Sequence, residues 1–302
     1  MFTRIIVGWN DTSQSQTAVT WALERNTNEP ITIVHAIGGA ATASEYLRAG
    51  GELSEQRAKL MDFADRMRAE HRGHDITTRT AHGSPADLLG EYLEPGTLVV
   101  VGAPKHRTRS RWSVGARLAS RHKGGTVAVI PSTSAGDGRA SVVAGVDGSD
   151  ASLGAVDLAA SEAKRLGLPF EIIHVWLVPR SWSPLVGEYA NDVNAYEKMH
   201  REVLNAALEY AQSIQSEPRG RLETGVASEV LAEVGRNAAV LVLASHSSGA
   251  FSRFLLGSVS HEVILDPPAP VLVVTPYVDQ VEDLVFDDDD FEVDLGEVRP
   301  AE

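Results

Sequence analysis

A chain of 302 residues, 43% hydrophobic and 23% charged, has the composition of an ordinary globular protein and a length that suits two domains of about 150 residues. It contains no cysteine, which excludes disulfides, thiolate metal sites and cysteine nucleophiles, and no apolar run approaches the roughly 18 residues of a membrane span. The net charge of −14 is concentrated at one end, because residues 279–302 hold eleven Asp and Glu against one Arg. That acidic segment, with its Asp287 to Asp290 block, lacks helical or strand periodicity and is expected to be disordered. The rest offers no broad basic face, so neither nucleic acid nor a membrane is an expected partner. The N-terminus reads straight into a strand and not into a targeting segment, which makes the cytoplasm the expected location.

Ile5-Ile6-Val7 is a short apolar run of the kind buried on both faces of a parallel sheet. After the polar Asn10-Asp11-Thr12, a helix is predicted whose Ala18, Trp21, Ala22 and Leu23 share a face. Ile31 to Val34 predicts a second strand, Ser54–His71 a long helix, and Thr77–Ala81 a third strand that ends at Gly83. Leu88-Leu89 marks a short helix, and the run ending at Gly102 a fourth strand. A basic stretch from Lys105 to Trp112 follows, then a helix and a last strand at Thr126–Ile130.

The chain then starts again. Val142-Val143-Ala144 precedes Asp147-Gly148-Ser149 and a helix with Ala155, Leu158 and Ala159 on one face. Phe170 to Ile173, Ala195–Ser213, Arg221–Thr224, the helix with Val230-Leu231, the strand ending at Ala244, and Val271–Val274 repeat the first series. Gly8 matches Gly145, His35 matches His174 and Gly115 matches Gly257, with the spacing widening slightly along the chain as small loop insertions would cause. This is a duplication of whole domains, with expected boundaries at 1–138 and 139–278 and the acidic segment at 279–302.

Strands alternating with helices imply right-handed crossovers and a parallel sheet covered on both faces. The fold class is therefore α/β, two flavodoxin-like domains, each with five parallel strands in the order 3-2-1-4-5. Ligands in such sheets meet the loops after strands one and four, where the strand order reverses. The apolar last strands would leave open edges. They pair within the chain as a built-in pseudo-dimer, pair between two copies, or are covered by other segments.

In the second copy the loop after strand four runs from Ala244 to Ser260 and is rich in small and hydroxyl residues. Gly257-Ser258-Val259-Ser260 should open a helix, whose exposed amides and dipole make an anion site with the Ser258 and Ser260 hydroxyls beside it. Neither a Walker loop nor a dinucleotide fingerprint is present. Asp147, across the switch point, is either a hydrogen-bond acceptor for a ribose or base, or a turn and cap residue. A carboxylate at one end and a phosphate cradle at the other suit a nucleotide.

These residues resemble the universal stress protein family over about residues 1–278. Its ATP-binding members carry an Asp after strand one and G-x-x-G-(x)9-G-[ST] after strand four, which map onto Asp147 and onto Ala244, Ser247, Gly257 and Ser258. Two of the three glycines are replaced. The resemblance implies adenine-nucleotide-hydrolase-like domains and a regulatory stress-response role. It also implies ATP with accompanying Mg²⁺, held by Asp147 and the Val175 backbone at the nucleoside and by Gly257 to Ser260 at the phosphates. The first copy departs further, with Asn10 for the carboxylate, Lys105 for the second glycine and Ala116 for the hydroxyl, so its site is expected to be degenerate.

His35 and His174 read as packed, hydrogen-bonded strand residues, His71 and His74 as solvated, and Ser245-His246 as neighbours without an orienting acid. With no evident general base or two-metal carboxylate cluster, slow ATP hydrolysis is the most that catalysis could amount to. The competing function is an interaction module that has lost its nucleotide. The basic loop is expected to be solvated or to receive the acidic tail.

Overall fold

The computed structural model describes residues 2–25, 28–38, 43–104, 113–121, 123–132, 140–177, 190–214, 216–245 and 256–276, with only the backbone at 43–53 and 190–192. The acidic segment, the basic loop with Lys105, and Ser247 lie outside the described residues. The first half runs β1 (Arg4–Gly8), α1 (Ser13–Glu24), β2 (Ile31–Ile37), α2 (Ala43–Glu70), β3 (Ile76–His82), α3 (Pro85–Gly90), β4 (Thr97–Gly102), α4 (Val114–Ala119) and β5 (Thr126–Ile130). The second runs β6 (Ser141–Val146), α5 (Asp150–Leu166), β7 (Phe170–Trp176), α6 (Ala190–Ser213), β8 (Arg219–Thr224), α7 (Ala227–Gly235), β9 (Ala238–Ala244), α8 (Ser258–Leu265) and β10 (Val271–Val274).

Strands within each half are parallel and follow the expected 3-2-1-4-5 order. The two last strands pair with each other inside the chain: β5 and β10 run antiparallel, with Val127 opposite Val273 and Val129 opposite Val271. The result is one ten-stranded sheet, β3-β2-β1-β4-β5-β10-β9-β6-β7-β8. Successive residues of a strand feed opposite faces. Leu98 and Val100 pack in the cluster that holds Ala18, Leu60, Ala155 and Leu204, whereas Val99 and Val101 pack with Leu89, Leu118, Leu231 and Ile264. Helices α1, α2, α5 and α6 therefore cover one face, and the shorter α3, α4, α7 and α8 the other.

Local sequence accounts for the turns into the first helix of each half. Thr12 and Ser15 form a reciprocal capping box on α1, and Ser149 accepts from the Ser152 amide on α5, satisfying amides that a helix start leaves free. The turn position before each cap is left-handed, at Gly148 (φ 87°) and at Asp11 (φ 58°), so the second half meets without strain what the first meets with an aspartate. The long helix of the first half begins at Ala43 and not at Ser54, because it runs through Gly50-Gly51, a pair whose propensity argues for a break.

A buried ion pair closes the seam beside β5 and β10. Arg25, at the end of α1, donates to both Glu162 carboxylate oxygens on α5 at 2.5 and 3.0 Å, and both side chains are 3% exposed. Arg165 also donates to Glu162, at 2.8 Å, and to the Arg25 carbonyl at 3.2 Å. Phe2 and Trp21 lie 5.5 and 5.1 Å from the Arg25 guanidinium. On the sheet itself, the Thr275 hydroxyl donates to the Gly125 carbonyl. Among the described residues, no helix is long and apolar enough to cross a membrane.

Candidate functional site

At the carboxyl ends of β6 and β9 the second half opens into a cavity of about 230 Å³. Of the residues singled out in the sequence, Asp147, Val175, Ala244, Gly257, Ser258, Val259 and Ser260 all line it. The cavity lies where strand order reverses, with β6 between β7 and β9, the place where open α/β sheets take ligands.

One end of the cavity is the start of α8. Gly257 is its N-cap and supplies no side-chain cap; its own amide donates to the Ser245 carbonyl at 2.8 Å. The amides of Ser258, Val259 and Ser260 form the first turn, which has no intrahelical acceptor, and none of the described residues accepts from them. Three donors and the positive end of a helix dipole thus face the cavity mouth. Ser258 is exposed, whereas the Ser260 hydroxyl is committed to the Ala244 carbonyl at 2.6 Å. Of the two serines, Ser258 is the one whose hydroxyl is not tied to the backbone.

At the other end, Asp147 Oδ1 accepts from the Ser149 amide at 3.0 Å and from its hydroxyl at 2.5 Å. Asp147 therefore holds the turn, while Ser149 caps the helix. Oδ2 has no partner among the described residues.

His174 and His200 tie this wall together. A carbonyl can only accept, so His174 Nδ1, 2.8 Å from the Val146 carbonyl, must donate. In a neutral ring Nε2 then accepts, and the 2.8 Å contact to His200 Nδ1 runs from His200 to His174. His200 Nε2 is left as a buried acceptor without a partner among the described residues, with Trp176 stacked at 5.4 Å and Tyr196 edge-on at 4.6 Å. Burial first, and the neighbouring His174 second, push the His200 pKa down. Since Val146 precedes Asp147, the relay anchors the carboxylate's strand end to α6. His35 makes the same bond to the Trp9 carbonyl, as a packed strand residue should. The sequence announced His174 through its repetition, but gave no sign of His200.

The matched place in the first half is built differently. Its cavity is larger, about 520 Å³, and takes in Asn10, Gly102 and Gly115. Helix α4 starts earlier than its counterpart, and its N-cap Ser113 accepts from the Ala116 amide at 3.1 Å, a self-cap that sequence comparison missed. Gly115 falls inside that helix, where a Cβ would come within 2.7 Å of Val129. At Gly102 a Cβ would stand 2.5 Å from the Gln14 carbonyl. Both glycines of this copy thus serve helix packing, and Ala244 at the place matching Gly102 is buried in the strand end of its own half. Ser245 is fully buried, with no partner for its hydroxyl among the described residues, no position for a nucleophile. Among the described residues, no three His, Asp or Glu side chains gather as a metal site.

The model of the universal stress protein family matches residues 1–121 and again 139–275. The chain belongs to the universal stress protein family. A universal stress protein of Mycolicibacterium smegmatis is 29% identical over 286 residues, 90% of this chain and 97% of its own. One from Mycobacterium tuberculosis is 28% identical over 308 residues, 89% of this chain and 94% of its own. Among solved structures, a universal stress protein from Archaeoglobus fulgidus aligns with 92% of this chain and 99% of its own length, at a TM-score of 0.65 and 18% identity. That likeness extends the shared architecture across both halves.

Proposed function

We propose that this universal stress protein binds an adenine nucleotide, ATP with Mg²⁺, in its second half, and acts in the stress response as a regulator and not as a catalyst. The observation that carries the reading is the uncapped start of α8: three amides without described acceptors, beside Ser258, opposite the Asp147 carboxylate in one cavity. Phosphate oxygens would take the amides of Ser258, Val259 and Ser260 and the Ser258 hydroxyl. Asp147 Oδ2 and the Val175 backbone would meet the nucleoside. Ser247 would complete the phosphate loop from the segment that follows Ser245. When bound, Mg²⁺ would neutralise phosphate charge. At about 230 Å³ the cavity encloses only part of such a ligand.

Turnover has little support. One Asp147 oxygen is taken by Ser149 and the other is assigned to the nucleoside, so the reading gives no side chain the role of general base. Equilibrium dialysis of the full chain against labelled ATP with Mg²⁺ tests the reading. One saturable site per chain is expected; no saturation at millimolar ATP overturns it in favour of the interaction module.

A further inference from the structure

The cavity of the first half differs from its counterpart in chemistry as well as in size. None of its described lining residues is charged. Its deep wall is Val34, Leu89, Val101 and Val129, and its polar rim is largely satisfied from within. Ser113 takes the Ala116 amide at the start of α4, and Thr12 takes the Ser15 amide at the start of α1 while Ser15 takes the Thr12 amide. The Thr12 hydroxyl donates to Asn10 Oδ1 at 2.6 Å, and the Ser13 hydroxyl donates to Gln14 Oε1 at 3.3 Å. Each of these amide oxygens thus takes one hydroxyl proton, and the NH₂ groups of Asn10 and Gln14, which have no partner among the described residues, are there to donate. A phosphate here would meet no charged side chain among the described lining residues, and would be desolvated against a largely apolar wall.

We infer that the first-half cavity is a separate binding site for an uncharged, mainly apolar small molecule carrying a carbonyl-type acceptor. The apolar body fills the wall, and the acceptor takes the Asn10 amide, with that of Gln14 beside it. Its volume of about 520 Å³ falls in the usual range for enclosed small-molecule sites, about 300–1,000 Å³. The site is independent of nucleotide binding in the second half. The duplication has thus produced one half suited to an anion and another suited to a neutral ligand.

Nile red, an uncharged dye that carries a carbonyl and brightens in apolar surroundings, is a suitable probe for the full chain. One saturable site with blue-shifted emission is expected. Ala36→Trp, which fills the cavity, should weaken it at least tenfold. Asn10→Leu should weaken it about three- to tenfold, the worth of one hydrogen bond. Val175→Trp, which fills the other cavity, and millimolar ATP should leave it unchanged. The inference is overturned by unsaturable binding, by affinity that survives Ala36→Trp, or by loss in Val175→Trp. Competitive displacement by ATP in the Val175→Trp chain also overturns it, because the site would then be a nucleotide site. Should Ala36→Trp not fold, Asn10→Leu decides, since it alters an exposed rim position, and unchanged affinity there refutes the acceptor contact.

Discussion

Replacing Ser258 by proline removes one phosphate donor from α8 while leaving the helix intact. Proline is accepted at the first helical position, where its missing N–H has no intrahelical acceptor. The residue before a proline must be extended, and Gly257 already sits at φ −55°, ψ 144°. Ser258→Pro should therefore fold normally and lose both the amide and the hydroxyl offered to a phosphate. A hydrogen bond to a charged group contributes about 1.5–3 kcal/mol, and about 1.4 kcal/mol is a factor of ten. Loss of the amide alone thus predicts ATP affinity weaker by roughly 10- to 150-fold, while Ser258→Ala, which keeps the amide, should lose several-fold. Calorimetric titration with Mg·ATP measures both, alongside thermal unfolding without ligand. The reasoning is refuted if Ser258→Pro binds within threefold of the parent, or if its weaker binding comes with an equally destabilised fold.

Asp147→Asn should keep the turn, because its amide oxygen can still accept from Ser149, yet weaken nucleotide binding about tenfold through loss of charge; equal affinities would remove Asp147 from the site. At the seam, Glu162→Met leaves the Arg25 guanidinium buried and uncompensated, which should cost about 3–5 kcal/mol in urea unfolding, whereas Arg25→Met with Glu162→Met should recover most of that. A double variant as unstable as the single one would count against the pair. Burial alone would raise the Glu162 pKa, but the hydrogen bonds and charges of Arg25 and Arg165 prevail and hold it below the usual carboxylate range. A depressed carboxyl stabilises the fold above its unfolded pKa of about 4.3 and loses that contribution as pH falls through the folded value. The stability gap between the parent and Glu162→Gln should accordingly narrow below about pH 4. His200 is also held low, so its contribution is present above about pH 6.5 and fades as pH falls; His200→Gln should flatten the pH dependence of unfolding below about pH 6.5.

The order and type of the elements were legible because each apolar run of a few residues is separated by turn residues and a helical period, and because the second half repeats the message of the first. The positions around Asp147 and Gly257 were legible for the same reason: a short motif lies on adjacent strand ends once the order 3-2-1-4-5 is accepted. Less could be read where two distant segments decide the outcome. The start of α2 was obscured by Gly50-Gly51. Ser113 caps α4 only because that helix begins before the matched glycine. His200 meets His174 across α6 and β7, and no local pattern in α6 distinguishes it from a solvated helix residue. The replacement of Gly102 by Ala244 looked like damage to a phosphate loop until Gln14 showed what the glycine makes room for.

The antiparallel join between β5 and β10 has a geometric corollary. Strands of the two halves point in opposite directions, so their carboxyl ends, and the cavities built on them, open on opposite margins of the ten-stranded sheet. One partner docking at one margin leaves the other margin accessible. Any conversation between the two compartments must travel through the middle of the molecule, across the valines of the seam and the Arg25–Glu162 clasp beside it.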